Sequence, residues 1–378
     1  MKRILFLFSA ALLMLACSQE KKITVDLSNN SSLDKAGELV ELDWQALTAK
    51  LPLEQGQFIV VNEFGDQVPY QVLYKGEVTP QAIIFPVTLA ANTQAKYTIK
   101  GDKPMEFPTL TFGRKIPERK DDFAWENDRI AFRVYGPALA PENPSNGVDI
   151  WLKKTDNLIV NKFYKEELQD GLSYHVDRGE GLDCYKVGHT LGAGAIAPFF
   201  DNKIWVENHY SSAKVLDSGI LRTSFELAYD TVRVNDQIYS KNVVITLDAG
   251  SQFCKANVSY QGNFETIDLA AGIFLHSELG DIKTDKDAGT IAYAENAVSD
   301  AGLPAGRNYV GVIFTTPVKE IFQDSEHIAG VSSYTKEQSF VYYFGAGWSQ
   351  WGFETDADWF NYVNNTAKEL ELPIGVTF

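Results

Sequence analysis

Apolar and polar residues alternate with period two along most of this chain. Between residues 23 and 100 short strands are predicted at 58–61, 70–73, 82–87 and 96–99, with one short helix at about 43–51. Glycine, proline, asparagine and aspartate punctuate these runs at short intervals, which fits a small β-sandwich domain over 23–101. Gly101, Asp102, Lys103 and Pro104 read as its boundary. Beyond it the alternation returns. Ile130, Phe132 and Val134 alternate with Arg129, Ala131, Arg133 and Tyr135, and Val148, Ile150 and Leu152 with Asp149, Trp151 and Lys153. Ile204 and Val206 alternate with Trp205, Glu207 and His209. Further strands are predicted at 221–229, 242–247, 253–260, 269–275, 309–315 and 339–344.

So many alternating runs call for large antiparallel sheets, each with one face buried, stacked in two layers. The expected fold is all-β: a small N-terminal β-domain, then a large antiparallel β-sandwich over 102–378 that ends in a helix. That C-terminal helix is capped by Thr355 or Asp356 and stopped by Pro373. Trp359, Tyr362, Val363, Thr366, Ala367 and Leu370 fall at helical spacing within it.

The first residues follow a different pattern. Lys2 and Arg3 precede an apolar run over 4–16, too short to span a bilayer, which takes roughly 20 residues. Leu15, Ala16 and Cys17 resemble a bacterial lipobox. The expectation is a signal peptide over 1–16, lipid attachment at Cys17 and a tether over 17–22. Contact with the membrane would then run through the N-terminal lipid alone. Ser18, Gln19, Glu20, Lys21 and Lys22 lack an acidic export run. The expected address is therefore the bacterial envelope, on the outer membrane facing the periplasm.

The formal charge of −16 argues against nucleic acid as a partner. It becomes −18 when Lys2 and Arg3 leave. The dense basic cluster is Arg114, Lys115, Arg119 and Lys120, followed by Arg129 and Arg133. Cys184 and Cys254 remain after lipidation, either as one disulfide or as two separate buried thiols. No spacing suggests structural zinc.

Candidate chemistry concentrates between Tyr174 and Tyr210, which hold three of the five histidines: His175, His189 and His209. Arg178, Asp183, Tyr185, Lys186 and Glu207 surround them. Imidazole and phenol side chains move protons, so this density points to acid–base work. A second segment, 118–129, places Trp125 and Glu126 among charged residues. It reads either as a sugar-binding surface or as a solvated loop. Trp205, Glu207 and His209 share one strand face, as a sugar platform or as an ordinary half-exposed strand. Gly188 to Gly194 matches no phosphate loop, and no Gly-x-Ser-x-Gly elbow is present. No cofactor is expected. A divalent metal on His175, Asp183, His189 and His209 stays open, although their spacing matches no ligand motif.

Three stretches, 112–139, 174–192 and 344–349, resemble the domain-of-unknown-function 4861 family of Bacteroidetes lipoproteins. The resemblance covers nearly the whole mature chain. It implies a galactose-mutarotase-like β-supersandwich and a setting among glycan-degradation genes, and it supplies no catalytic residues. The expected activity is β-elimination on a uronate-containing glycan. Arg129 and Arg119, in one wall with Arg114, would meet the carboxylate. His175 or His209 would be the base and Tyr185 or Tyr210 the acid, with His189 in the same catalytic pool. A glycoside hydrolase would instead draw two carboxyl groups from Glu126, Asp183 and Glu207. A sugar epimerase would pair one carboxylate with histidine. A non-catalytic glycan-binding lipoprotein would need Trp125, Trp205 and charged groups such as Lys186, but not the histidines. The lyase reading requires the 174–210 wall to face the 114–133 wall. The sequence does not reveal the oligomeric state.

Overall fold

A computed structural model of the chain describes residues 21–142, 147–206, 209–276 and 280–378. The expected signal segment, Cys17 and Glu207 lie outside the described residues.

Period-two burial builds the N-terminal part. Ile23, Val25 and Leu27 of the strand Lys22–Ser28 point inward, and their neighbours point outward. That strand lies in a five-stranded sheet with Gly375–Thr377 on one side, then Gln94–Gly101, Phe58–Val61 and Gln67–Val68 on the other. A three-stranded sheet, Lys35–Asp43, Ala82–Leu89 and Gln71–Leu73, packs against it. Phe58, Val60, Phe85, Val87 and Ile99 belong to the core between them. Asp43 caps helix α1 (Trp44–Lys50) by accepting from the Ala46 N–H at 2.7 Å. The chain's last strand therefore completes its first sheet, with Asp26 opposite Thr377.

The larger part is a two-layer sandwich. One layer is an eight-stranded antiparallel sheet running from Ser212–Ser218 at one edge to Asp281–Asp285 at the other. Two five-stranded sheets make the opposite layer. The first comprises Thr111–Ile116, Asp122–Asn127, Ala131–Val134, Val148–Lys153 and Gly181–Asp183. The second is centred on Ala193–Phe200, Thr266–Phe274 and His327–Thr335. A parallel bridge from Val148 to Gly192 joins the two. Their inner faces share one core with the eight-stranded sheet, in which Phe123 stacks on Phe225 at 4.1 Å and Phe132 meets Phe344 edge-on at 5.7 Å. The all-β sandwich architecture expected from the alternation is the observed one.

Two further helices are α2 (Val160–Lys165), in the middle of the chain, and α3 (Asp356–Glu371), near its C-terminal end. Helix α3 opens on a capping box between Thr355 and Asp358. Its buried stripe of Trp359, Val363 and Ala367 covers the outer face of the large sheet at Phe253, Ala294, Tyr309 and Ile313. Cys184 and Cys254 are separate buried thiols.

One expectation fails in an informative way. The sheet ending in Gly181–Asp183 is buried on both faces, since all six residues of Asp122–Asn127 and all six of Val148–Lys153 are buried. Helix α2, continuing as a π-helical turn at Glu166–Asp170, lies over the face that the alternation marked as polar. That face carries Asp122, Glu126, Arg133, Asp149, Lys153 and Asp183, all sealed from water.

Candidate functional site

Sealing six ionisable side chains is costly unless each is paired. Glu126 solves this locally. Its carboxylate accepts from the Ile159 and Val160 N–H groups at 2.9 and 2.8 Å and from Lys153 Nζ at 2.9 Å. It thereby satisfies the open N-terminus of α2 and pins the cover to the sheet. Arg133 solves the problem for the rest. Its Nη2 lies 2.5 Å from Asp149 Oδ2 and 2.7 Å from Asp183 Oδ2, and its Nη1 donates to the Tyr174 hydroxyl at 3.1 Å. The rings of Tyr135, Trp151 and Tyr174 surround the guanidinium at 4.7, 5.2 and 5.6 Å. One cation faces two buried carboxyls. Burial, and then the charge of Asp183, push Asp149 up to about 8, with Arg133 opposing. Burial also raises Asp183, against Arg133 and His175. Both carboxyls are thus harder to ionise than an ordinary carboxylate, because one guanidinium cannot balance two buried charges. Asp122 is raised by burial too; it meets Arg119 at 3.3 Å and the Tyr164 hydroxyl at 3.2 Å.

Just past Asp183 the chain leaves the edge of this sheet, and residues on both sides of it can meet solvent. His175 Nδ1 sits 2.9 Å from the Asp183 carbonyl oxygen, and 3.7 Å from both Asp183 Oδ2 and Asp300 Oδ2. A carbonyl only accepts, so Nδ1 carries a hydrogen in this contact, and Nε2 is the nitrogen left without a hydrogen-bond partner among the described residues. The His175 side chain is 30% exposed. Lys186 is 74% exposed, with Nζ 3.9 Å from Asp300 Oδ1. Tyr185, between them, turns inward. Its hydroxyl is buried with no hydrogen-bond partner among the described residues, and burial holds the phenol well above its ordinary value. Its ring meets His276 edge-on at 4.6 Å. His276 Nδ1 is 2.9 Å from Glu295 Oε1, and its Nε2 contacts the Lys186 carbonyl.

The segments expected to face each other do meet. Arg133 binds Asp183 and Tyr174, and the Tyr210 hydroxyl donates to the Asp121 carbonyl. The composition of that meeting differs from the expectation. Trp125 is fully buried, stacked on Phe132 at 5.5 Å with its N–H on Cys254 Sγ, so its ring has no free face for a sugar. Glu126 anchors the α2 cover and is out of reach of substrate. Arg129 sits at the far turn of its hairpin, 3.2 Å from Asp128, which in turn accepts from the Gly250 N–H. The remaining basic cluster is neutralised pair by pair: Arg114 with Glu118, Lys115 with Asp121, Arg119 with Asp122 and Lys120 with Glu142. Tyr210 is buried, and burial raises its phenol. His189 is exposed beside the half-buried His209, whose pKa is lowered by burial and then by the neighbouring His189. Trp205 is half-buried, donates to the Phe200 carbonyl at 3.2 Å and lies under Lys203. Among the described residues no group of three or more histidine, cysteine or acidic side chains is placed to hold a metal ion.

Asp149, His276, Glu295 and Asp300 were not singled out from sequence. Arg133 was noted there only as part of the basic cluster. A charged residue inside a buried strand, such as Asp149 between Val148 and Ile150, is the available signal, but alternation assigns it to solvent.

The fold and rim define a two-layer β-sandwich protein with a sealed ionic network supporting a histidine- and lysine-bearing edge. Residues 27–376 match the family described as Domain of unknown function (DUF4861), and the chain belongs to that family. It is 28% identical over 407 residues to Uncharacterized protein P7 of Formosa agariphila, with 100% of each chain covered. Among solved structures it is similar to a glycosyl hydrolase family 38 protein from Enterococcus faecalis, at 9% identity and a TM-score of 0.47, covering 95% of this chain and 48% of that one. It is also similar to an α-mannosidase from Enterococcus faecalis V583, at 8% identity and a TM-score of 0.39, covering 95% of this chain and 46% of that one. The chain spans about half the length of both structures.

Proposed function

We propose that this protein is a carbohydrate-active enzyme that cleaves a uronate-containing glycan by β-elimination at the rim between His175 and Lys186. The observation that carries the reading is the His175 ring held through Nδ1 by the Asp183 carbonyl, beside an exposed, loosely held ammonium group. With its hydrogen on Nδ1, His175 offers Nε2 as a base for the C5 proton. Lys186, 3.9 Å from Asp300, retains donors for the C5 carboxylate and stabilises the charge that develops there. The electrons of the C5–H bond form the C4–C5 double bond, the C4–O4 bond breaks, and O4 leaves with a proton. Lys186 takes the part first expected of Arg119 and Arg129, because Arg119 is committed to Asp122 and Arg129 lies at the far turn. The Arg133 network holds Asp183, and Asp183 holds the His175 ring. Attachment at Cys17 on the periplasmic side of the outer membrane belongs to the same proposal.

The test is incubation with a panel of acidic and neutral oligosaccharides, following both the ultraviolet absorbance of an unsaturated uronate and new reducing ends. The chromophore should appear with the acidic glycans. His175→Gln should then lower kcat by about 10²–10⁴, while Lys186→Ala should chiefly raise KM. Reducing ends without the chromophore would replace elimination by hydrolysis. Binding without turnover on any glycan would make the protein a glycan-binding lipoprotein.

A further inference from the structure

β-Elimination needs an acid at the leaving oxygen, and neither tyrosine expected in that part is free to act. The Tyr185 hydroxyl is sealed without a partner among the described residues and Tyr210 is buried, whereas the His276 side chain reaches solvent. We infer that His276, held by Glu295, is that acid: a second proton-transfer residue opposite His175 across the Asp183–Lys186 segment. The inference rests on the elimination reading.

The hydrogen-bond pattern sets the two histidines apart. His175 shows an acceptor to Nδ1 and leaves Nε2 open. His276 shows acceptors to both ring nitrogens, the Glu295 carboxylate to Nδ1 and the Lys186 carbonyl to Nε2. A carbonyl cannot donate, so the Nε2 contact requires a hydrogen on the ring. The Glu295 contact places a second hydrogen between Nδ1 and Oε1. Asn308 Nδ2 donates to Oε1 at 3.4 Å and the Tyr293 hydroxyl to Oε2 at 3.2 Å, contacts that suit an ionised carboxylate and put that hydrogen on the ring. A ring that donates through both nitrogens has a proton to give. A ring with an open lone pair takes one.

The layers of the sandwich explain how the pair is built. Glu295 lies in Thr290–Val298 and Asn308 in Pro304–Phe314, both in the eight-stranded sheet, while His276 follows Thr266–Phe274 in the opposite layer. Tyr185 meets the His276 ring edge-on at 4.6 Å and Phe274 does so at 4.4 Å, fixing its plane. The other charged or titratable groups facing this corner are Lys186, Asp300 and Cys184; the Cys184 thiol is raised by burial, then by the nearby carboxylates. Because the Nε2–H points at the Lys186 carbonyl, a glycosidic oxygen bound beside Lys186 can take that hydrogen in its place. His175 receives the C5 proton and O4 receives the His276 proton; before the next turnover His175 gives its proton to water and the His276 ring takes one back.

Two measurements on the full chain decide the matter. Nitrogen-15 spectra of histidine-labelled protein, without any glycan, report how many hydrogens the His276 ring carries at the assay pH. Two are expected in wild type and one in Glu295→Gln; a singly protonated wild-type ring would overturn the inference. With a glycan that wild type cleaves, His276→Gln should lower kcat by about 10²–10³ with little change in KM. The alkaline limb of the pH–rate profile should disappear as well, and His276→Asn serves if the glutamine variant fails to fold. Retained turnover in a folded variant would overturn the acid role while leaving His175 and the elimination reading standing. A doubly protonated ring in a protein that cleaves no glycan would instead sink the elimination reading, and the acid role with it.

Discussion

Asp149 and Asp183 compete for one guanidinium, and that competition sets how the protein responds to pH. In the folded state Asp149 titrates at about 8, above the ordinary carboxylate range, because burial and the Asp183 charge outweigh Arg133. Folding therefore takes up a proton at pH values between the unfolded and folded titrations. The resulting contribution is complete below the unfolded pKa and is lost as pH rises through about 8. Stability from chemical denaturation should fall between about pH 5 and about pH 8.5. Asp149→Asn, which keeps the shape without the charge, should flatten that slope. An unchanged slope in the variant would assign the effect to other groups. Glu126 belongs to the same face but is paired to completion. Lys153→Met leaves it with the two α2 amides only, at an expected cost of about 3 kcal/mol in urea melts. A cost near zero would mean that those amides suffice.

At the level of elements, capping and periodicity decide what forms, and they decided it legibly for the strands and for α3. The stripe of Trp359, Val363 and Ala367 and the stop before Pro373 are both in the sequence and in the fold. Thr355→Ala removes one arm of the capping box and should cost about 1 kcal/mol, measured by thermal or urea unfolding. Helix α2 was not legible. Val160–Lys165 is short, its N-cap position Ile159 has no side-chain cap, and its open amides are satisfied by Glu126 from a distant strand. A cap that far away in sequence leaves no local signal. Without α2 in view, the face carrying Arg133 and Asp149 read as solvated. Trp125 misled for the mirror-image reason, since its charged neighbours suggested a surface while its strand put it in the core. The site divides along the same line. His175, Asp183, Tyr185 and Lys186 stand close in sequence and were found as a cluster. His276, Glu295 and Asp300 join them only because strands far downstream pack across the sandwich, a long-range pairing that no local pattern encodes.

For the molecule as a whole, the question is how two cores behave as one body. The N-terminal core is small, and a domain of that size buries too little apolar surface to be robust alone. Two sets of contacts tie it to the rest. At one end, the Gln71 side chain accepts from the Leu221 and Arg222 N–H groups at 2.8 Å and donates to the Arg222 carbonyl at 2.9 Å. Nearby, Asp217 accepts from the Tyr74 N–H at 2.6 Å, and Arg222 binds Glu41 at 2.7 Å. At the other end, the buried Lys35 donates to the Glu369 carbonyl of α3 at 2.8 Å, and the strand Gly375–Thr377 adds itself to Lys22–Ser28. The second tie covers the edge of the first strand, so removing it both exposes a row of backbone groups and releases one clamp. Deleting residues 375–378 should split a single calorimetric transition into two, the lower one belonging to the N-terminal core. Protease cleavage in that lower transition should fall between residues 22 and 101. If the truncated chain still melts in one step at the wild-type temperature, the polar contacts around Gln71, Arg222 and Lys35 carry the coupling and the strand Gly375–Thr377 is dispensable.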